Sequence, residues 1–165
     1  PVFYVQEIGW SDERYAQIEG IPGSAAGVVG ALVGGFLADI LGVKVIVTLG
    51  MLGISGLCVA MGVSEELRGH EVFQFVFLLG TTFLISLMTV ASFSLFMRLC
   101  TPAVAGTQYT LYMALANLAR VSGAAIVAAL EEDGYRTIFL VMAVAIVVPL
   151  LFLYPIREPE RAVEA

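Results

Sequence analysis

The sequence predicts an all-α, polytopic membrane helix bundle, and three observations predict it. Residues 20 to 155 form long apolar segments whose few charges fall almost entirely in the gaps between them. The composition is 59% hydrophobic and 13% charged, with a mean hydropathy of +0.94, which leaves too little polar side chain to cover a water-facing surface. The apolar runs are also continuous, whereas the strands of a membrane barrel would alternate with polar lumen positions. A helix crosses the hydrocarbon core with roughly 20 apolar residues. Five segments reach that length, at about 17 to 41, 44 to 63, 72 to 97, 104 to 130 and 137 to 155.

The chain opens Pro1-Val2-Phe3-Tyr4-Val5-Gln6-Glu7, without an initiator Met, a basic n-region or a small-residue cleavage site, so this stretch is not a signal peptide. It reads as the last turns of an earlier span, which makes five spans a lower bound and the chain a piece of a longer protein. Ser11 before Asp12 and Glu13 has the form of a helix N-cap with acids in the first turn, where they face the positive end of the helix dipole.

The first span is rich in small residues. Gly23, Gly27, Gly30, Gly34 and Gly35 interleave with Ala25, Ala26 and Ala31 and include two G-x-x-x-G spacings, which let another helix approach closely in a bilayer. Two uses of this face stay open: fixed packing, or a surface on which two halves of a moving protein slide. Pro22 removes a backbone hydrogen bond and can bend the helix. Glu19, near the outer end, is placed to titrate and take a proton-coupling role, although the same position is easily wetted. Asp39 closes the other end, and Leu41-Gly42-Val43-Lys44 allows only a tight turn into the second span.

Cys58 lies in the second span and Cys100 at the end of the third, and both read as packing residues rather than a disulfide. The connection from Ser64 to Glu71 is acidic, and its His70 has no partner at metal-ligand spacing, so neither a metal nor a cofactor is expected. In the third span Thr82, Ser86 and Thr89 fall at i, i+4 and i+7, on one helix face, flanked by Phe75, Phe93 and Phe96. Such a stripe suits a cavity wall. Hydroxyls in membrane helices also bond to carbonyls of the preceding turn, and both readings stay open.

After Thr101-Pro102 the fourth span carries the richest polar set, Thr107, Gln108, Tyr109, Thr110, Asn117 and Arg120. Tyr109, Met113 and Arg120 lie on nearly one face, with Asn117 one turn before Arg120. A cation at helix depth is costly and is normally paired or directed at water. Arg120 can hold an anionic group of a substrate or a carboxylate from another helix; the alternative is snorkelling, over the roughly ten residues that separate it from Glu131. The loop Glu131, Glu132, Asp133 and Gly134 leads to the fifth span, and residues 156 to 165 read as a cytoplasmic tail. Because every connection is short, consecutive spans are expected to pack as antiparallel neighbours.

If the span ends alternate sides, Lys44, Arg98, Arg157 and Arg161 share one face of the membrane, and Arg14, Arg68 and Arg136 the other. The positive-inside bias then places the Lys44 and Arg98 loops in the cytoplasm, with Trp10, Tyr15, Tyr135 and Tyr154 near the water interfaces as an aromatic belt. The net charge of −6 resides largely in acidic loops and argues against a nucleic-acid partner. No H-E-x-x-H, G-x-S-x-G, phosphate loop or Cys/His cluster occurs, so no catalytic residue is expected.

The segment Gly35-Phe36-Leu37-Ala38-Asp39-Ile40-Leu41-Gly42-Val43-Lys44 resembles the G-x-L-A-D-x-x-G-x-K signature between adjacent helices of major facilitator superfamily transporters. It departs from the fuller pattern at Ile40 and Val45, where basic residues are common. The run from Gly106 through Thr107-Gln108-Tyr109-Thr110 to Asn117 and Arg120-Val121, followed by a small-residue helix and an acidic loop with Gly134-Tyr135, is similar to the eleventh span of AmpG-type muropeptide permeases and their acetyl-CoA transporter relatives. The resemblance implies the C-terminal half of a major facilitator fold, from the end of span seven to span twelve, with the N-terminal half as its partner. It implies proton-linked import of anhydro-muropeptides across the bacterial inner membrane by alternating access, with acetyl-CoA, a sugar or an organic anion as other solutes and a non-transporting scaffold or receptor as the remaining alternative. In that frame Gly35, Asp39, Gly42 and Lys44 form a conformational latch. Thr82, Ser86, Thr89, Gln108, Tyr109, Asn117 and Arg120 serve the cavity, and the glycine-rich and Arg120 helices form the moving interface.

Overall fold

The computed structural model describes residues 2–130 and 134–156, so the acidic cluster Glu131, Glu132 and Asp133 and the tail carrying Arg157 and Arg161 lie outside the described residues. Among the described residues, five helices are long and apolar enough to cross a membrane: Asp12–Leu41, Val43–Val63, Glu71–Leu99, Pro102–Ala129 and Tyr135–Leu153, the first to fifth spans. The described residues contain no strand, and the chain is the all-α membrane bundle its hydropathy demands. The first span starts at Asp12, ahead of its apolar run, because the Ser11 hydroxyl accepts the Arg14 N–H at 3.1 Å and closes the first turn. Its 30 residues rise about 45 Å against a hydrocarbon core of about 30 Å, so its polar opening turns stand at the interface.

Contacts at the span ends fix the alternation. Arg98 at the end of the third span lies 3.8 Å from Asp39 at the end of the first, and the Lys44 ammonium donates to the carbonyl of Ile156 beyond the fifth. These three ends share one membrane face. On the other, Arg14 of the first span pairs with Glu71 of the third, while the Gln74 side chain donates to the Arg68 carbonyl at 2.7 Å.

Lipid tails are as apolar as leucine, so close backbone approach and interhelical hydrogen bonds decide which helices meet. The first span lies against the third. A Cβ on Gly30 would collide with the backbone of Phe83, and one on Gly34 would lie 2.6 Å from the Leu87 carbonyl oxygen. The second span meets the third at Gly50 and Gly53, where a Cβ would sit 2.9 Å from Met88 and Leu84 side-chain atoms. It meets the fifth at Gly62, where a Cβ would lie 3.0 Å from Leu140 Cγ, and through the Ser55 hydroxyl, which donates to the Ala143 carbonyl at 2.9 Å.

Adjacency in sequence is only a partial guide to adjacency in this bundle. The expected packing of consecutive spans holds for the second and third, while the first span seats on the third and the second also on the fifth, because a short turn only sets which face of the membrane the next helix starts from. The glycine face is occupied by the third span.

The buried side chains form two clusters. One, built on Ala38, Val43, Ile46, Leu87 and Ala91, lies toward the Asp39 end. The other holds Tyr4, Trp10, Cys58, Met61, Phe77 and Phe139. The helical turn Phe3–Glu7 joins this second cluster: Phe3 lies edge-on to Tyr135 and Phe139, each at 5.0 Å, and the Tyr4 hydroxyl donates to the Gln74 carbonyl at 3.3 Å. Trp10, just ahead of the first span, is only 6% exposed, because Tyr4, Phe75 and the Arg14 guanidinium cover its ring.

Candidate functional site

The Asp39 turn is built by one residue. Gly42 adopts φ +93°, a conformation that costs a side-chain-bearing residue dearly, and it lets the first span stop and the second start without an intervening loop. Its N–H donates to the Ala38 carbonyl at 3.1 Å, satisfying the end of the first span. Gly35 faces Val90 of the third span, whose Cγ1 would be 3.6 Å from an added Cβ. With Asp39 beside Arg98 and Lys44 on the Ile156 carbonyl, the residues of the signature bring together the ends of the first, second, third and fifth spans. Asp39 remains 78% exposed, so this pairing is well hydrated and easily exchanged.

The hydroxyl stripe leans on the glycine face. An added Cβ on Gly27 would lie 3.3 Å from Ser86 Oγ and 3.7 Å from Thr82 Cγ2, so these two residues point at the first span. Thr82 donates to the Leu78 carbonyl at 2.9 Å, one turn back. Ser86 and Thr89, both half-buried, make no hydrogen bond among the described residues and keep their hydroxyls available.

The fourth span stands apart. None of the residues Ala105–Ala129 is buried, and its ring contact with the third span runs through Tyr112 and Phe96 at 5.4 Å. The polar set divides accordingly. Gln108 caps the start of its own helix, its Oε1 accepting the Thr101 N–H at 2.6 Å, and Thr110 donates to the Gly106 carbonyl at 2.8 Å. Tyr109 is half-buried, while Thr107, Asn117 and Arg120 are exposed. Arg120 lies roughly 14 Å along the helix from the span end at Ala129, and it makes no ion pair or hydrogen bond among the described residues. No such contact joins Asn117 or Arg120 to the hydroxyl stripe.

Glu19 starts a π-helical stretch, Glu19–Gly23, with Pro22 inside it. The missing proline N–H explains the wider turn. The carboxylate folds back on its own helix, its Cδ 3.6 Å from where a Gly23 Cβ would be. Its Oε2 is buried without a hydrogen-bond partner among the described residues. His70 is exposed, and the described residues contain no cluster able to hold a metal ion.

Sequence reasoning missed the contacts that join elements. Arg14 pairs with Glu71 while its guanidinium lies 5.0 Å from the Trp10 ring centre and 5.9 Å from that of Phe75, clamping the first span to the third opposite the Asp39–Arg98 pair. The alternation of span ends put both partners on the same membrane face and was the available signal. Ser55, a lone hydroxyl between Gly53 and Gly56, carried no periodic signal.

The family model described as Major Facilitator Superfamily matches residues 1–165. No curated protein and no solved structure matches the chain. With five apolar spans and a match over the whole length, the chain belongs to the major facilitator superfamily, whose members are secondary transporters of solutes.

Proposed function

We propose that the chain is the C-terminal half of a two-half transporter that moves a small polar or anionic solute together with protons across the bacterial inner membrane, with anhydro-muropeptides as the cargo. One observation carries this reading: Arg120 sits within an apolar span, exposed and without an acid partner among the described residues. An uncompensated cation at that depth is stabilised by an anion or a water-filled passage, and a rocking two-half transporter supplies both at its midplane. Asn117 lies one turn away and offers an amide to the same ligand. The unsatisfied Glu19 carboxylate supports a proton-binding role. The resemblance of the Thr107 to Arg120 segment to muropeptide permeases favours this cargo over acetyl-CoA, a sugar or another organic anion. Within this reading Ser86 and Thr89 meet sugar hydroxyls when the first and third spans present them to the cavity, and the Asp39 turn biases one conformation.

The test is uptake of labelled anhydro-muropeptide by proteoliposomes containing the full-length protein under an imposed proton gradient. Arg120→Ala abolishes uptake and Arg120→Lys restores part of it, since the charge returns without the planar fork. Unchanged uptake in both variants removes Arg120 from the site. Uptake indifferent to the gradient removes the proton, and transport only of another solute replaces the cargo.

A further inference from the structure

We propose that the outer seam between the second and fifth spans binds one anionic phospholipid. The fifth span breaks between Val147 and Leu150, because Pro149 lacks the N–H that would continue the helix. At the break, two grooves of about 460 and 600 Å³ adjoin and share Leu150. The upper groove is lined by Ser55, Val59, Val144 and Val147. Its one side-chain hydroxyl, that of Ser55, is already committed to the Ala143 carbonyl, so nothing there holds water or a polar solute. A dry apolar trough of this kind accepts an alkyl chain.

The lower groove opens on Lys44, Thr48 and Tyr154. The Lys44 ammonium, which donates to the Ile156 carbonyl, is the cation at the mouth of this groove and has no acid partner among the described residues. The Thr48 hydroxyl bonds back to the Lys44 carbonyl at 2.8 Å, and Tyr154 is 92% exposed, its phenol free to meet a headgroup. The length also fits. Lys44 to Ser55 spans about 17 Å of helix, close to the ~15 Å of one leaflet's hydrocarbon, so a headgroup at Lys44 lets its chain end beside Ser55. The Lys44 end is the one the sequence assigns to the cytoplasm, where anionic lipid is enriched.

The experiment is native mass spectrometry of the full-length protein, released from nanodiscs holding equal amounts of phosphatidylglycerol and phosphatidylcholine with matched chains. The wild type retains one phosphatidylglycerol per chain after phosphatidylcholine has been stripped. Lys44→Gln lowers that preference about fivefold, the factor expected for one lysine near a lipid surface, and Val144→Trp, which fills the trough while leaving the charge, lowers retention of both lipids. Equal retention of the two lipids by the wild type overturns the proposal, as does a phosphatidylglycerol preference that Lys44→Gln leaves intact. A lipid-free dimer that Val144→Trp dissociates gives the seam to a second copy and overturns it too. Should Lys44→Gln fail to give a monodisperse protein, Tyr154→Phe and Val144→Trp decide: retention untouched by both is a negative result.

Discussion

The first and fourth spans are both rich in glycine and alanine, yet one is sealed into the bundle and the other stands outside it. On the first span Gly30 and Gly34 touch the backbone of the third so closely that even a methyl group collides. On the fourth, Gly106 and Gly123 have nothing within 4 Å of a would-be Cβ, and none of the residues Ala105–Ala129 is buried. Small residues permit close approach but do not by themselves produce it, because in lipid the gain comes from a partner surface shaped to the gap. The first span is also pinned to the third at both ends, by Arg14–Glu71 and Asp39–Arg98. The fourth span's cation has no acid partner among the described residues. One helix is held; the other presents a surface.

The contrast is broken most directly by adding bulk to each surface. Gly34→Leu forces the first and third spans apart and abolishes monodisperse full-length protein in size-exclusion chromatography, since overpacking against backbone costs at least about 1–3 kcal/mol. Gly123→Leu leaves folding of the described bundle unchanged and acts on transport alone. Equal folding losses in the two variants would erase the distinction between the spans.

A smaller effect tests the seam beside the sealed pair. Ser55→Ala deletes the bond to the Ala143 carbonyl and lowers thermal stability by about 0.6 kcal/mol, the average for interhelical hydrogen bonds in membranes. A loss several times larger, measured by thermal unfolding of the full-length protein, would show that polar contacts and not shape hold the second and fifth spans.

The smallest stability change is at the turn. Asp39→Asn removes a hydrated ion pair of long reach, of the exposed kind that often contributes nothing measurable to stability. It slows transport without removing substrate binding, because it shifts the balance between states and leaves the cavity intact. Binding lost in a folded Asp39→Asn protein, read by equilibrium binding of labelled solute, would contradict the latch.

Much of the candidate site was legible because its signals are local. The N-cap at Ser11, the positive-φ turn at Gly42 and the helical register of Thr82, Ser86 and Thr89 follow from neighbouring residues. That Gln108 spends its side chain on the Thr101 N–H was less legible, since the breaking effect of Thr101-Pro102 had to be joined to a residue a full two turns on. The covering of Trp10 was illegible for a related reason: the sequence shows a residue near a span end, and only Tyr4, Phe75 and Arg14 around the ring decide that it is buried.

By itself the sequence determined that the chain is helical, how many long apolar segments cross the membrane and which charged ends share a face, because hydropathy, caps and turn glycines act within a few residues of where they are read. Only the tertiary structure decided that the first span seats on the third, that the hydroxyl stripe leans on glycine, that Arg120 stands without an acid partner among the described residues and that Pro149 opens a seam beside Lys44. Between helices in lipid, apolar residues do not distinguish one neighbour from another, and the choice falls to steric fit and a handful of polar contacts between residues far apart in the chain.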